Sequence, residues 1–404
     1  MGDNLLKPGG RAEEGFATLI PKLVIVTEII APYRIPILNA LAQRAEIELE
    51  VIFLSENDPT LRDWKVYKDE IKFRYQVLPS WRQRLGRYNL LINRGVHSAL
   101  KRSRPDVLLC GGYNYLASWS AAYWARTHRV PLLLWSESTA WDQRRGYPLV
   151  EFVKKRFLKL CMAFVVPGRS SFEYLTHLGI APQRIFTAPN AVDTALFSNL
   201  AETARRNESQ VRSRHHLPSR YFLYVGRLVK DKGVFDLLEA YAQLGAETRS
   251  SIGLVFAGIG SGHRVLVERA AKVKPGIIDF LGFVHREELP EIYAFADALI
   301  FPTHSDPWGL VVNEAMACSL PVILTSVAGC ATDLVRDGSN GFVIPPRDVS
   351  CLVLAMARVA EDSARRAEMA CRGRERIEGY SPDAWADGIL EAVRTVAGVS
   401  YPQN

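Results

Sequence analysis

The chain has 404 residues, 48% hydrophobic and 23% charged, a composition that suits a globular protein long enough for two domains, each with its own core. Its formal charge of +7 suits an anionic partner: a nucleotide, an acidic lipid or a nucleic acid. The six cysteines show neither CxxC nor Cys/His metal spacing, which argues against a disulfide framework or structural zinc and for reduced thiols in a cytosolic protein.

Glu13, Glu14, Pro21 and Lys22 interrupt any apolar run near the N-terminus, so no secretory signal is expected. Leu6 stands where myristoylation wants Ser or Thr. Nowhere do ~18 apolar residues follow one another, so no transmembrane helix is expected. Strand-like runs occur at 22–27, 47–54, 73–78, 106–110, 131–136, 163–167 and 185–188, with amphipathic stretches at 33–44, 115–126, 149–160 and 170–178. Near-continuous apolar strands alternating with helices predict a parallel sheet covered on both faces. Two basic clusters interrupt this pattern. One, from 80 to 105, carries seven basic residues and no acid, interleaved with Trp81, Tyr88, Leu90, Leu91 and Ile92. The other is Arg144, Arg145, Lys154, Lys155, Arg156 and Lys159. Each reads either as a solvated helix face or as an interfacial helix on anionic lipid.

Residues 199–220 are polar and poor in apolar side chains, the composition of a crossing between domains. The alternation restarts with strands at 221–225, 252–257, 277–281, 298–301, 321–324 and 341–344, and helices at 235–244, 263–273, 286–296, 309–318 and 349–361. A last helix is predicted from 382 to 399. The expected organisation is two doubly wound, Rossmann-like α/β domains at 20–199 and 221–380, joined by 200–220. The helix at 381–400 is expected to pack back on the first domain. Ligands of such folds bind beyond the carboxyl ends of the strands, in the cleft between domains.

Two motifs carry candidate chemistry. Gly226-Arg227-Leu228-Val229-Lys230-Asp231-Lys232-Gly233 follows a strand and opens a helix. Its glycines allow close backbone approach, Arg227 can fork two phosphate oxygens, and Lys232 is a point charge. The plain alternative is a surface turn. Asp306-Pro307-Trp308-Gly309-Leu310-Val311-Val312-Asn313-Glu314 also follows a strand. Gly309 marks a helix start whose amides favour a diphosphate, Glu314 suits vicinal ribose hydroxyls, and Asp306 suits sugar hydroxyls or developing positive charge. Here the alternative is a helix-entry Asp306 and a surface Glu314. Gly258-Ile259-Gly260-Ser261-Gly262, with Asp279 further on, nearly matches a dinucleotide fingerprint. His263 stands where the third glycine belongs, which favours a tight strand-to-helix turn over NAD binding.

Together these blocks resemble the family 4 (group 1) retaining glycosyltransferases of GT-B architecture. The matching residues are 222–228 with Lys232-Gly233, then 255–260, 281–284 and 301–303, then Asp306-x7-Glu314 with 315–318, and finally 321–323 and 337–343. Ala31-Pro32-Tyr33-Arg34 and 188–193 give a thinner match in the first domain. The resemblance implies that Arg227 and Lys232 neutralise the departing diphosphate and that Gly309, Leu310 and Val311 lie along it. Glu314 would hold the ribose, the backbone at Val284 would face the base, and Asp306 would stand near the transferred sugar. It also implies a nucleotide-sugar donor, a glycan or lipid-linked acceptor, no cofactor and no metal. Such a protein would be cytoplasmic, with an anionic membrane surface as a further candidate partner on the inner face.

Two departures stand out. Asp306 replaces the glutamate usual in the family, and the first domain lacks the family's histidine near the sugar and its glycine pair in the first loop. Glu137, which ends a strand in Trp135-Ser136-Glu137-Ser138-Thr139, is the candidate contact to acceptor or donor sugar. The alternatives are a sugar-nucleotide 2-epimerase of the same fold, or a non-catalytic basic protein binding glycan or lipid. A phosphorylase would need a pyridoxal-binding lysine, and none is identifiable. Nucleic-acid binding has net charge behind it and no recognition motif.

Overall fold

A computed structural model describes residues 20–57, 65–85, 88–141 and 148–397. The expectations on the N-terminal residues and on Arg87, Arg144 and Arg145 fall outside these. The first sheet holds seven parallel strands, in the order β3-β2-β1-β6-β7-β8-β9. They are β1 (Lys22–Thr27), β2 (Glu48–Phe53), β3 (Arg74–Val77), β6 (Val107–Cys110), β7 (Leu132–Trp135), β8 (Ala163–Val166) and β9 (Ile185–Thr187), with a separate hairpin of β4 (Ser80–Leu85) and β5 (Tyr88–Asn93). The second sheet holds six parallel strands, in the order β12-β11-β10-β13-β14-β15. They are β10 (Tyr221–Val225), β11 (Gly253–Ala257), β12 (Ile278–Gly282), β13 (Ala298–Phe301), β14 (Val322–Thr325) and β15 (Gly341–Ile344).

The central strands of each sheet are buried on both faces because they are almost wholly apolar, while the edge strands β3 and β12 are more exposed. Leu23 and Ile25 feed the core on one side of β1, Val24 and Val26 the core on the other. Leu223 and Val225 alternate with Phe222 and Tyr224 in the same way along β10. The chain is therefore two Rossmann-like α/β domains, as the strand–helix alternation predicts.

The structure corrects the reading of the first basic cluster. Residues 80–85 and 88–93 pair as an antiparallel hairpin rather than forming a helix, and among the described residues of that stretch only Val96–Ser103 is helical. The polar crossing is helical too, at Thr194–Arg206 and Glu208–His215. The first of these helices seats Phe197 and Ala201 in the core of the second domain. A helix at Ser363–Ile377, which the sequence patterns do not predict, precedes the last one. The last helix, Pro382–Ala397, packs on the first sheet. Its Trp385 ring lies 5.2 Å from that of Trp135, and a Cβ at Gly388 would stand 2.2 Å from the Thr187 carbonyl. Among the described residues no helix is long and apolar enough to cross a membrane.

Candidate functional site: a cleft at the carboxyl ends of both sheets

The loop after β10 is built by close backbone contacts. Gly226 and Leu228 donate their amides to Ala257 and Ile259, and Gly262 donates back to Leu228, so this loop and the glycine-rich turn after β11 zip together. A Cβ at Gly258 would lie 1.9 Å from the Gly226 carbonyl, and one at Gly260 2.4 Å from that of Leu228. The near-match to a dinucleotide fingerprint is thus a packing device: its glycines admit the neighbouring loop. Gly233, in the left-handed region at φ 69°, ends this loop; a Cβ there would stand 1.8 Å from the Pro302 carbonyl. That approach brings Lys232 against the loop after β13. Its Nζ donates to Asp306 Oδ2 at 2.5 Å and to the Ser305 carbonyl at 3.2 Å.

Asp306 is fixed a second time, because its Oδ1 accepts the Trp308 amide at 3.1 Å. Gly309, at φ 99°, starts the helix Leu310–Ala317 and leaves the first-turn amides of Leu310 and Val311 without partners inside the helix. Trp308 Nε1 donates to Asn313 Oδ1, and Asn313 Nδ2 donates to the Asn190 carbonyl, so this helix is tied to the point where the chain crosses between domains. Glu314 accepts from the Tyr293 hydroxyl at 2.8 Å. Burial pushes its carboxyl up to about 7, against the opposing pulls of that hydroxyl and of the Arg286 charge. Arg227 is exposed, and its side chain makes no hydrogen bond or ion pair among the described residues. This side of the cleft therefore offers an uncommitted guanidinium, a lysine already neutralised by Asp306, free helix amides and an enclosed carboxyl. Val284, half-buried beyond β12, stands at the sheet edge.

On the first-domain side Glu137 follows β7 and stands 3.7 Å from Arg34. Arg34 donates to Thr27 Oγ1 at 2.8 Å and lies 4.6 Å over the Trp135 ring. The segment after Glu137 touches the second domain, where Ser305 Oγ donates to the Trp141 carbonyl. Glu137 and the Lys232–Asp306 pair are thus held in segments that meet.

Residues 37–196 match the model of Glycosyltransferase Family 4, and residues 205–376 match that of Glycosyl transferases group 1. The chain belongs to the group 1 glycosyltransferases. It is 27% identical over 282 residues to a glycogen synthase of Mycobacterium tuberculosis, covering 68% of this chain and 64% of that one. It is 32% identical over 236 residues to a D-inositol 3-phosphate glycosyltransferase of Geodermatophilus obscurus, covering 56% and 50%. These matches span between half and about two thirds of the relatives' own length. Anabaena Alr3699/HepE in complex with UDP shares the GT-B fold at a TM-score of 0.73 and 18% identity, over 93% of this chain and 100% of that one.

Within this group 1 glycosyltransferase, the motif spacing pointed to the four second-domain residues Arg227, Lys232, Asp306 and Glu314, but not to the ion pair joining Lys232 to Asp306. Tyr293 carried no signal, being 21 residues from Glu314. Arg34 lay in a recognisable motif, Ala31-Pro32-Tyr33-Arg34, but its partner Glu137 is a hundred residues away and only the parallel neighbourhood of β1, β6 and β7 joins them.

Proposed function

We propose that the chain is a retaining hexosyltransferase that uses a nucleoside diphosphate sugar as donor and a glycan as acceptor. The observation that carries this reading is the gathering of Arg227, the Lys232–Asp306 pair and the helix start at Gly309 around one cleft floor, with Glu314 one and a half turns further on. The diphosphate lies along the amides of Leu310 and Val311, and Arg227 forks its oxygens. Glu314 takes the ribose hydroxyls, and the base rests by the backbone of Val284. As the bond between the anomeric carbon and the diphosphate oxygen breaks, its electron pair leaves with the diphosphate. Arg227 and Lys232 neutralise that charge where it develops, which is where such a site lowers the barrier most. The acceptor hydroxyl bonds the anomeric carbon from the same face and gives its proton to the departing diphosphate. Asp306 faces the positive charge on the sugar, and Glu137 orients a sugar hydroxyl from the other wall. The relatives named above and a fold neighbour in complex with UDP favour the same class of donor.

The test is a screen of UDP-, GDP- and ADP-sugars for diphosphate release, with and without membrane lipid extract. Arg227→Ala should lower turnover by ~10²–10³-fold, the size of losing one charge-stabilising donor. A loss below about threefold would overturn the diphosphate assignment. No binding of any of the three diphosphates would favour a non-catalytic basic protein instead.

The acceptor reading extends to a lipid-linked glycan at the inner, anionic face of a membrane. Its support is the helix Pro148–Leu158. Lys154 turns inward to Glu151 and Tyr174, while Phe152, Val153, Lys155 and Arg156 face outward, followed by Lys159. Phe152 is 65% exposed, unusual for a phenylalanine unless something covers it. An outward face with two apolar and three cationic side chains complements anionic headgroups. The wild-type chain should float with phosphatidylglycerol vesicles and not with phosphatidylcholine vesicles. Phe152→Asp with Arg156→Glu should abolish flotation while leaving diphosphate binding intact. Equal flotation with both vesicle types would remove the membrane from the proposal.

A further inference from the structure

Among the described residues, and besides the Asn313–Asn190 bond at their junction, the two domains meet at three places. Beside β8, the Arg169 amide and the Ser170 hydroxyl donate to Asp333 and to the Gly329 carbonyl. In the middle, Ser305 meets Trp141. At the opposite flank lies a contact made entirely by side chains. The guanidinium of Arg286, just past β12, lies 4.2 Å over the ring of Tyr67, and its Nη2 stands 2.5 Å from Glu70 Oε1. The Tyr67 hydroxyl donates to Glu287 Oε2 at 2.8 Å.

The polarity of this contact is crossed. The second domain offers a cation and then an anion in successive residues; the first domain answers with a carboxylate and a hydroxyl three residues apart. Tyr67 is buried, and burial together with Glu287 pushes its phenol up to about 12, so it remains a donor throughout the physiological range. An arginine stacked on a ring and paired with a carboxylate needs both partners in place at once. Among the described residues no backbone group takes part, so the contact can separate without disturbing either sheet.

Its position gives it a use. Arg286 is two residues from Val284, and its charge is felt by Glu314. We propose that Tyr67, Glu70, Arg286 and Glu287 form a latch that closes the first domain over the nucleoside end of the cleft. In this arrangement Arg286 is a positioning residue for the bound diphosphate. This rests on the donor-site reading above. While the latch is shut the nucleoside is enclosed; the spent nucleoside diphosphate leaves when it opens.

The test compares the wild-type chain with Glu70→Gln, Tyr67→Phe and the double variant. Small-angle scattering, with and without UDP, GDP and ADP, reads the closure of the domains. Stopped-flow displacement of a fluorescent analogue of whichever diphosphate binds reads its release. The double variant should show a larger radius of gyration and release the diphosphate about tenfold faster, the size of losing one charge-assisted hydrogen bond. The donor KM should rise while kcat changes by less than about threefold. If burial of Tyr67 keeps the double variant from folding, Glu70→Gln alone, at a more exposed position, should show the same direction. A folded variant with unchanged scattering and release within about twofold of wild type would overturn the latch. If the wild type binds none of the three diphosphates, the donor reading and the positioning role both fail, while scattering still decides whether the latch holds the domains together.

Discussion

Lys232 and Asp306 sit on loops more than seventy residues apart in the chain, and each spends its charge on the other. A diphosphate entering the site must therefore compete with Asp306 for the lysine. Asp306→Asn should tighten nucleoside diphosphate binding by roughly threefold, because an exchangeable ion pair of this kind holds up to ~1 kcal/mol. Turnover should fall in the same variant. Calorimetric binding weaker than wild type would show that Asp306 does not compete with the diphosphate. Glu314 gives a prediction with a definite sign. Its folded-state carboxyl titrates at about 7, against an ordinary value of 4.5. Between those values the folded chain keeps a proton that the unfolded chain has lost, so this residue's contribution to stability declines as pH rises through the window and levels off above it. Glu314→Gln cannot ionise, so its melting temperature should exceed that of wild type by a margin that widens from pH 5 to pH 8. A margin independent of pH would contradict the raised carboxyl. Both carboxylates were legible from their spacing to Gly309 and from the strand before them. Their actual partners, Lys232 and Tyr293, were not, since a motif records spacing along the chain and these contacts form across it.

At the scale of elements, the parallel strands were legible because their apolar runs admit only burial on both faces. The hairpin of β4 and β5 was not. Its arginines resemble a charged helix face, and exposed Trp81 and Gln83 flank a half-buried Arg82, a period of two hidden by the charge. The available signal was Gly86-Arg87 between two strand-length runs, a pair that suits a tight hairpin turn. The helix Ser363–Ile377 escaped for a related reason: its buried stripe is only Met369, Gly373 and Ile377 amid seven charged residues. The paired loops after β10 and β11 carry the sharpest test at this scale. Gly258→Ala places a Cβ onto the Gly226 carbonyl at φ 149°. The substitution should cost about 3 kcal/mol or more in chemical denaturation and weaken diphosphate binding, because the loop it displaces carries Arg227. An effect under about 1 kcal/mol would mean the loops are not packed as described.

For the whole molecule, the two-domain plan was legible from the break at 199–220, although that break is itself helical and its first helix belongs with the second core. Asn313 joins Asn190, at the end of the first domain, to the helix Leu310–Ala317, so the domains are coupled at their junction as well as across the cleft. The last helix buries Trp385, Ile389, Leu390 and Val393 in the first domain's core. Trp385→Ala should destabilise the first domain by about 3–5 kcal/mol, read as a lowered melting of the first domain in calorimetry. A loss of stability under about 1 kcal/mol would contradict the packing.

That helix also sets an order of events on the ribosome. The strands of the first domain emerge by residue 187, yet part of their core is not translated until residues 382–397 follow the entire second sheet. At ordinary elongation rates the interval is on the order of tens of seconds. During it the second domain can fold to completion, while the first waits with the Trp135 side of its sheet uncovered. Of the two halves, the one translated first is the one finished last.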